Sequence, residues 1–267
     1  MIKDITIGQY HPVDSPVHRL DPRTKLMALI VYVAILLILP TPLWYIPCLM
    51  GILLLYWIAN VPFSFFLRGL RGIILLIFLI LLIRMISTPG HEVCHIGPLS
   101  ITMEGVVKGI QIATRIFLIV CAASLLTYTS TPKSLADGME KGLAWMERIH
   151  IPIHDMALVA MIAFRFIPLL TEEANTIMDA QTARGVDFEK GNVIRRIQNM
   201  MALLVPLFFS VVRRSSDLAM AMESRGYTGE EILSHLHPLI YHRADRVTYF
   251  AMFILLIVTI IIRILVT

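Results

Sequence analysis

The sequence predicts an all-α, polytopic membrane protein with about five transmembrane helices plus three amphipathic helices on the cytoplasmic side. Three observations lead there. The chain of 267 residues is 57% hydrophobic and 16% charged, against about 45–50% and about 25% in soluble domains. The apolar residues fall in long runs and mean hydropathy is +0.75, so the excess belongs in hydrocarbon rather than in an oversized soluble core. Lys and Arg are spread unevenly, with 13 of the 23 inside residues 131–246.

The first 25 residues are polar and hold no short apolar core with a cleavage-type site, so no cleaved signal peptide is expected. Residues 26–39 form the first apolar run, entered through Asp21-Pro22, an N-cap followed by the residue best tolerated at the first helical position. This run is short for a span and must borrow flanking residues. Pro40, Pro42 and Pro47 break it, and a second run continues to Ala59. A third covers about 65–86, a fourth about 106–128, and the last 247–266.

Charge orients the stack. Lys3, Arg19, Arg23 and Lys25 precede the first span, and Arg68 and Arg71 follow the second, whereas the turn around Thr41 and the loop 87–102 contain no Lys or Arg. The first set of ends faces the cytoplasm and the second faces outside. The expected organisation is a membrane domain of four spans (1–130), a cytoplasmic region (131–246) and a C-terminal transmembrane helix (247–267).

Three helices are readable in the cytoplasmic region. One starts at Thr131-Pro132 and spaces Leu135, Met139 and Leu143 four apart, opposite Lys133, Asp137, Glu140 and Lys141. The second covers about 154–183 and the third about 195–224. Both are apolar in their first halves and polar later. The apolar parts are too short and interrupted to span comfortably, so these helices are expected to lie against or dip into the membrane face.

Several functions can be weighed on this frame. HEVCH, from His91 to His95, matches the zinc-peptidase pattern, in which a helix presents two histidines on one face with a glutamate as base. Pro89-Gly90 and Gly97-Pro98 flank it, so it reads as a turn-rich extracytoplasmic loop without that helix. His235, His237 and His242 read as a connector before the last span, and neither cluster is assigned a metal. Cys48, Cys94 and Cys121 show no paired framework. The net charge of +4 is too small and dispersed for a nucleic-acid partner.

A phosphate loop is absent from the sequence, as are interior Asp or Glu in the five spans. A primary pump and an ion-coupled carrier are therefore both disfavoured. Arg115 is the one charge deep in a span; it reads either as a structural or substrate-facing contact or, preferred here, as an arginine that snorkels or pairs with backbone carbonyls. Energy must come from a partner.

The informative feature is a repeat. The second cytoplasmic helix closes with Ala183-Arg184-Gly185 and the third with Ser224-Arg225-Gly226; aligned on arginine, Ile177 matches Leu218 and Ala180 matches Ala221. Glycine past a helix end with a cation in the last turn is ordinary helix-stop chemistry. Two such ends on two similar helices suggest a pair of plugs for a pair of similar sockets, because the planar guanidinium stays charged and holds a carboxylate or several carbonyls at once.

In VHRLDPRTK (17–25), TPKSLADGME (131–140), FRFIPLLTEE (164–173), QTARGVDF (181–188) and VPLFFSVVRRSSDLAMAMESRGY (205–227), the chain resembles the transmembrane T component of energy-coupling factor transporters, a branch of ATP-binding cassette importers. The resemblance covers essentially the whole chain, and the paired arginine triplets are the family's signature. Ser224 departs from it, standing where the family has alanine.

The resemblance implies a non-enzymatic scaffold in the cell membrane that joins two cytoplasmic ATPases to a substrate-binding S component. Arg184 and Arg225 would each enter a groove on one ATPase, and the cytoplasmic helices would act as coupling helices. ATP and Mg²⁺ would bind the ATPases, leaving this chain without a cofactor of its own. The motifs look more like the shared, vitamin-importing type than the cobalt or nickel type. A membrane metalloprotease and an ion-coupled carrier stand as remote rivals.

Overall fold

The computed structural model describes residues 11–62, 72–89, 91–96, 99–188, 192–228 and 240–266, with the backbone alone at 92–96, 99–101, 193 and 266. It divides the chain into two compact units, 8–143 with 239–267, and 144–238 with the first seven residues.

The first unit begins with α1 (Pro22–Ile38), which starts where the sequence places it: Asp21 accepts the Arg23 backbone N–H at 2.9 Å, and Pro22 sits in the first turn. A 3₁₀ turn (Pro42–Trp44) leads into α2 (Tyr45–Ile58), followed by α3 (Ile74–Ser87). With 17, 14 and 14 residues, these fall below the roughly 20 that a perpendicular span needs. After α3 comes an antiparallel hairpin of β1 (Glu92–Ile96) and β2 (Leu99–Thr102). The expected loop is therefore a short β-ribbon in an otherwise helical chain. A strand carries residues four apart to about 13 Å from each other, not to adjacent turns of one face, so HEVCH lacks the peptidase geometry.

The unit continues with α4 (Met103–Thr129), capped by the Thr102 hydroxyl accepting from Gly105 N–H at 3.1 Å. Here α3 and α4 touch backbone to backbone. A Cβ on Gly105 would come within 2.9 Å of the Arg84 and Met85 carbonyl oxygens. Close approach of small residues is what packs helices in lipid, where no hydrophobic force separates one apolar face from another.

The core lies where α1, α2 and α4 meet, around Leu36, Tyr45, Ile52, Tyr56, Leu118 and Cys121. Its phenols are satisfied by helix carbonyls: Tyr56 donates to Cys121 O at 3.0 Å and Tyr32 to Cys48 O at 3.1 Å. Arg115 neither snorkels nor pairs with a carbonyl there. Its Nη2 and Nε donate to the Tyr45 hydroxyl at 2.9 and 3.2 Å.

Next, α5 (Pro132–Leu143) is capped by Thr131, as its sequence implies. Its buried point, however, is Gly138, where a Cβ would meet Pro22 Cβ at 2.8 Å; Met139 stays 51% exposed. The missing side chain lets α5 sit directly on the start of α1, which places it with the membrane helices. The unit closes with α8 (Arg243–Val266).

The second unit holds a 3₁₀ turn (Ala144–Ile149), α6 (Ile153–Ala183) and α7 (Val193–Ser224). Both helices run unbroken through an internal proline, Pro168 and Pro206, so the interruption read from the sequence is absent. Among the described residues four helices are long and apolar enough to cross a membrane: α4, α6, α7 and α8. A proline removes one ladder bond and crowds the preceding turn, but apolar residues on both sides give a helix in hydrocarbon every reason to continue.

Candidate functional site

The paired triplets end α6 and α7 in the same way. In α6, Val186 N–H donates to Gln181 O at 3.0 Å and Gly185 N–H to Thr182 O at 2.9 Å; in α7, Tyr227 N–H donates to Met222 O at 3.1 Å and Gly226 N–H to Glu223 O at 2.9 Å. This is the Schellman cap, twice. It requires a left-handed residue just past the end, and the two glycines supply it with φ of +90° and +81°. Any side chain there would be strained.

The cap turns the chain away immediately after each arginine. Ala183, Arg184 and Gly185 are exposed, as are Ser224, Arg225 and Gly226. Neither guanidinium makes an ion pair or hydrogen bond among the described residues. The Ser224 hydroxyl donates to Ala221 O on its own helix at 2.9 Å, so this departure from alanine adds no unsatisfied polar group.

The two helices are joined by a contact that the repeat did not announce. Glu173 of α6 accepts from Arg214 of α7 at 2.8 Å (Nη2) and 3.0 Å (Nε), and from the Ser210 hydroxyl. Arg184 lies eleven residues beyond Glu173, and Arg225 eleven beyond Arg214. Each arginine therefore stands about 16 Å along its own helix from the shared pair. The result is two equal arms with ends capped in the same way, pinned at corresponding positions of the repeat. Arg184 and Arg225 are thus related through the pair, and no described contact joins the triplets directly.

The VHRLDPRTK stretch forms a separate polar knot in the first unit. Arg23 grips the Asp21 carboxylate through Nη2 and Nε and lies 4.1 Å from the Tyr241 ring. Lys25 is buried and donates to His18 O, Thr129 O and Ser130 Oγ at 3.1, 2.8 and 3.2 Å. Burial, with the Lys25 ammonium beside it, holds His18 below the usual imidazole range. The neutral ring donates from Nε2 to His11 O and accepts at Nδ1 from the Ser15 hydroxyl.

Asp245, fully buried, accepts the backbone N–H of Asp21 at 2.9 Å and of His242 at 2.8 Å. It pins the start of α8 to the start of α1. Sequence reasoning missed it, although an acid three residues after a helix entry is a capping-box signal. His235 and His237 lie outside the described residues.

Comparison with known proteins agrees with this architecture. Residues 14–236 match the CbiQ family, described as cobalt transport protein. The energy-coupling factor transporter transmembrane protein EcfT of Heliobacterium modesticaldum is 41% identical over 249 residues, covering 92% of each chain. The protein of that name from Acidaminococcus fermentans is 39% identical over 96% of this chain and 97% of its own. The one from Lactococcus lactis subsp. cremoris is 36% identical over 97% and 98%. With the membrane-length helices and the paired caps, this agreement along nearly the whole chain shows that it belongs to the CbiQ family, as a multi-pass transmembrane T component of energy-coupling factor transporters and not an enzyme.

Proposed function

We propose that this chain transmits ATP-driven movement from two cytoplasmic cassette ATPases to a substrate-binding S component, in the uptake of vitamins. The observation that carries the reading is the pair of exposed arginines on equal arms about the Glu173–Arg214 pair. Two like sockets on two ATPases would move the arms together or apart, and the Glu173–Arg214 pair converts that movement into a change of crossing angle. In this reading 131–246 is the coupling region carrying α5, α6 and α7, between the membrane parts 1–130 and 247–267. Arg184 and Arg225 are the contacts, with Ala183, Gly185, Ser224 and Gly226 shaping the ends. ATP and Mg²⁺ are held by the ATPases.

A second reading, cobalt or nickel uptake, is favoured by the description of the matching family as cobalt transport. Uptake of labelled vitamins and of labelled Co²⁺, in cells co-expressing the chain with its ATPases and S component, decides between them. ATP-dependent accumulation of a vitamin is the expected result. Accumulation of the metal ion alone overturns it, and accumulation of either without ATPases removes the coupling role altogether.

The N-terminus and the coupling helices face the cytoplasm in this reading, on the distribution of Lys and Arg. With Cys121 buried and Cys48 half-buried, Cys94 is the third thiol of the sequence. A variant retaining Cys94 alone is expected to react with an impermeant thiol reagent on intact cells. Labelling that requires permeabilisation reverses the orientation.

A further inference from the structure

Within the first unit, α1, α2, α4 and α8 do not close completely on one another. Between them lies a half-open cleft of about 370 Å³. Its walls are apolar, including Ala28, Ile35, Leu125, Ala251, Met252 and Leu255, while Thr24, Lys25, Thr129 and Thr248 stand towards the end where α1 and α8 begin and α4 finishes. Because α4 and α8 are membrane-length helices, the medium at the mouth is hydrocarbon. An apolar gap there leaves its lining without contacts that a chain of methylenes would supply.

Two observations say more than that the cleft is greasy. The Thr24 hydroxyl is fully buried and has no hydrogen-bond partner among the described residues, a costly state unless an acceptor arrives. On α8, Arg243 is spaced by four from Val247, Ala251 and Leu255, which line the cleft, and so falls on the same face one turn beyond its end. Arg243 is exposed and makes no ion pair among the described residues. Lys25 has its three N–H groups committed to protein oxygens, which leaves Arg243 as the cation on this face.

Read outwards, the cleft offers apolar walls, then a hydroxyl, then a guanidinium. We infer that it binds one phospholipid with an anionic head group, the acyl chain lying between α1, α4 and α8, an ester oxygen near Thr24 and the phosphate at Arg243. The inference needs only the membrane location of this unit and is independent of how the arginine arms act.

The experiment is native mass spectrometry of the purified full-length chain in detergent, with phosphatidylglycerol or phosphatidylcholine of identical acyl chains added. Retention of one phosphatidylglycerol per chain is expected, preferred over phosphatidylcholine by about fivefold, the value of one cation near an anionic head group. Arg243→Gln, on an exposed position, should abolish the preference, and Ala251→Trp, which fills the cleft, should abolish retention of both lipids. Equal retention of the two lipids by the unmodified chain, or a preference that survives Arg243→Gln, overturns the site. So does a photoreactive benzoylphenylalanine at position 252 that cross-links in membranes to a protein instead of a lipid. Should the tryptophan variant fail to fold, the arginine variant decides alone.

Discussion

Alanine at both Arg184 and Arg225 is expected to leave the chain in the membrane but strip it of its ATPases. The caps survive the change, because their hydrogen bonds run between backbone groups and depend on the positive φ of Gly185 and Gly226. The helices lose only the interaction of a cation with the C-terminal dipole, about 0.3–1 kcal/mol at an exposed end. Loss of assembly would therefore have to come from the partner's side. A guanidinium desolvated in a groove satisfies several acceptors in one plane, and removing it costs about 2–5 kcal/mol by leaving them unpaired.

Each single change should accordingly weaken capture of the ATPases and impair uptake, and the double change should abolish stable assembly. Lysine separates the two accounts. It keeps the charge for the dipole but loses the fork, so it should rescue poorly. Co-purification of the ATPases with each detergent-solubilised variant is the measurement. A double alanine variant that retains them at the unmodified level removes the coupling role from these residues.

Glu173→Ala should produce the complementary defect, with ATPases bound but uptake slowed. The substitution leaves both arms and both caps in place and removes only the pin between them, since Arg214 and the Ser210 hydroxyl then lose their shared acceptor. The pair is partly exposed, at 38% for Arg214 and 23% for Glu173, so its contribution to folding is modest. Under the proposed coupling role its contribution to transmission is the larger one, because it ties corresponding points of the two arms. The expected loss is about five- to thirty-fold in uptake rate, the range for weakening a coupling by one to two kcal/mol.

Glu173→Arg alone should be worse, setting like charges against each other, and exchanging the pair as Glu173→Arg with Arg214→Glu should restore much of the rate. Spin labels on cysteines at positions 183 and 224 would report the distance between the arm ends directly. An unchanged distance distribution with unchanged uptake in Glu173→Ala refutes the pin.

The membrane class, the positions of the helices and the two caps were legible in the sequence. The α6 and α7 ends came out at Ala183 and Ser224 because helix termination is local chemistry, written in a glycine and the carbonyls three and four residues before it. The same holds for Asp21-Pro22 and Thr131-Pro132 at the starts of α1 and α5. The apolar parts of α6 and α7 read as short and interrupted, yet both helices run unbroken through Pro168 and Pro206, because propensity is a weak signal once a helix is held on both sides of a break.

What the chain by itself determined is thus much of what depends on neighbours within about a turn: hydropathy, most helix ends and the arginine repeat. What only the tertiary structure decided is which distant residues meet. Glu173 finds Arg214 at a separation of 41 residues, Lys25 finds Thr129 at 104, and Asp245 finds Asp21 at 224. From the sequence, Lys25 counted as one more positive charge facing the cytoplasm, and Gly138 carried no reading at all. In the fold the first is buried and ties a loop to the end of α4, and the second is where α5 sits on α1. Periodicity shows which face of a helix is apolar, but it carries no record of the element that will cover that face, because partner choice is set by shape and pairing across the assembled bundle.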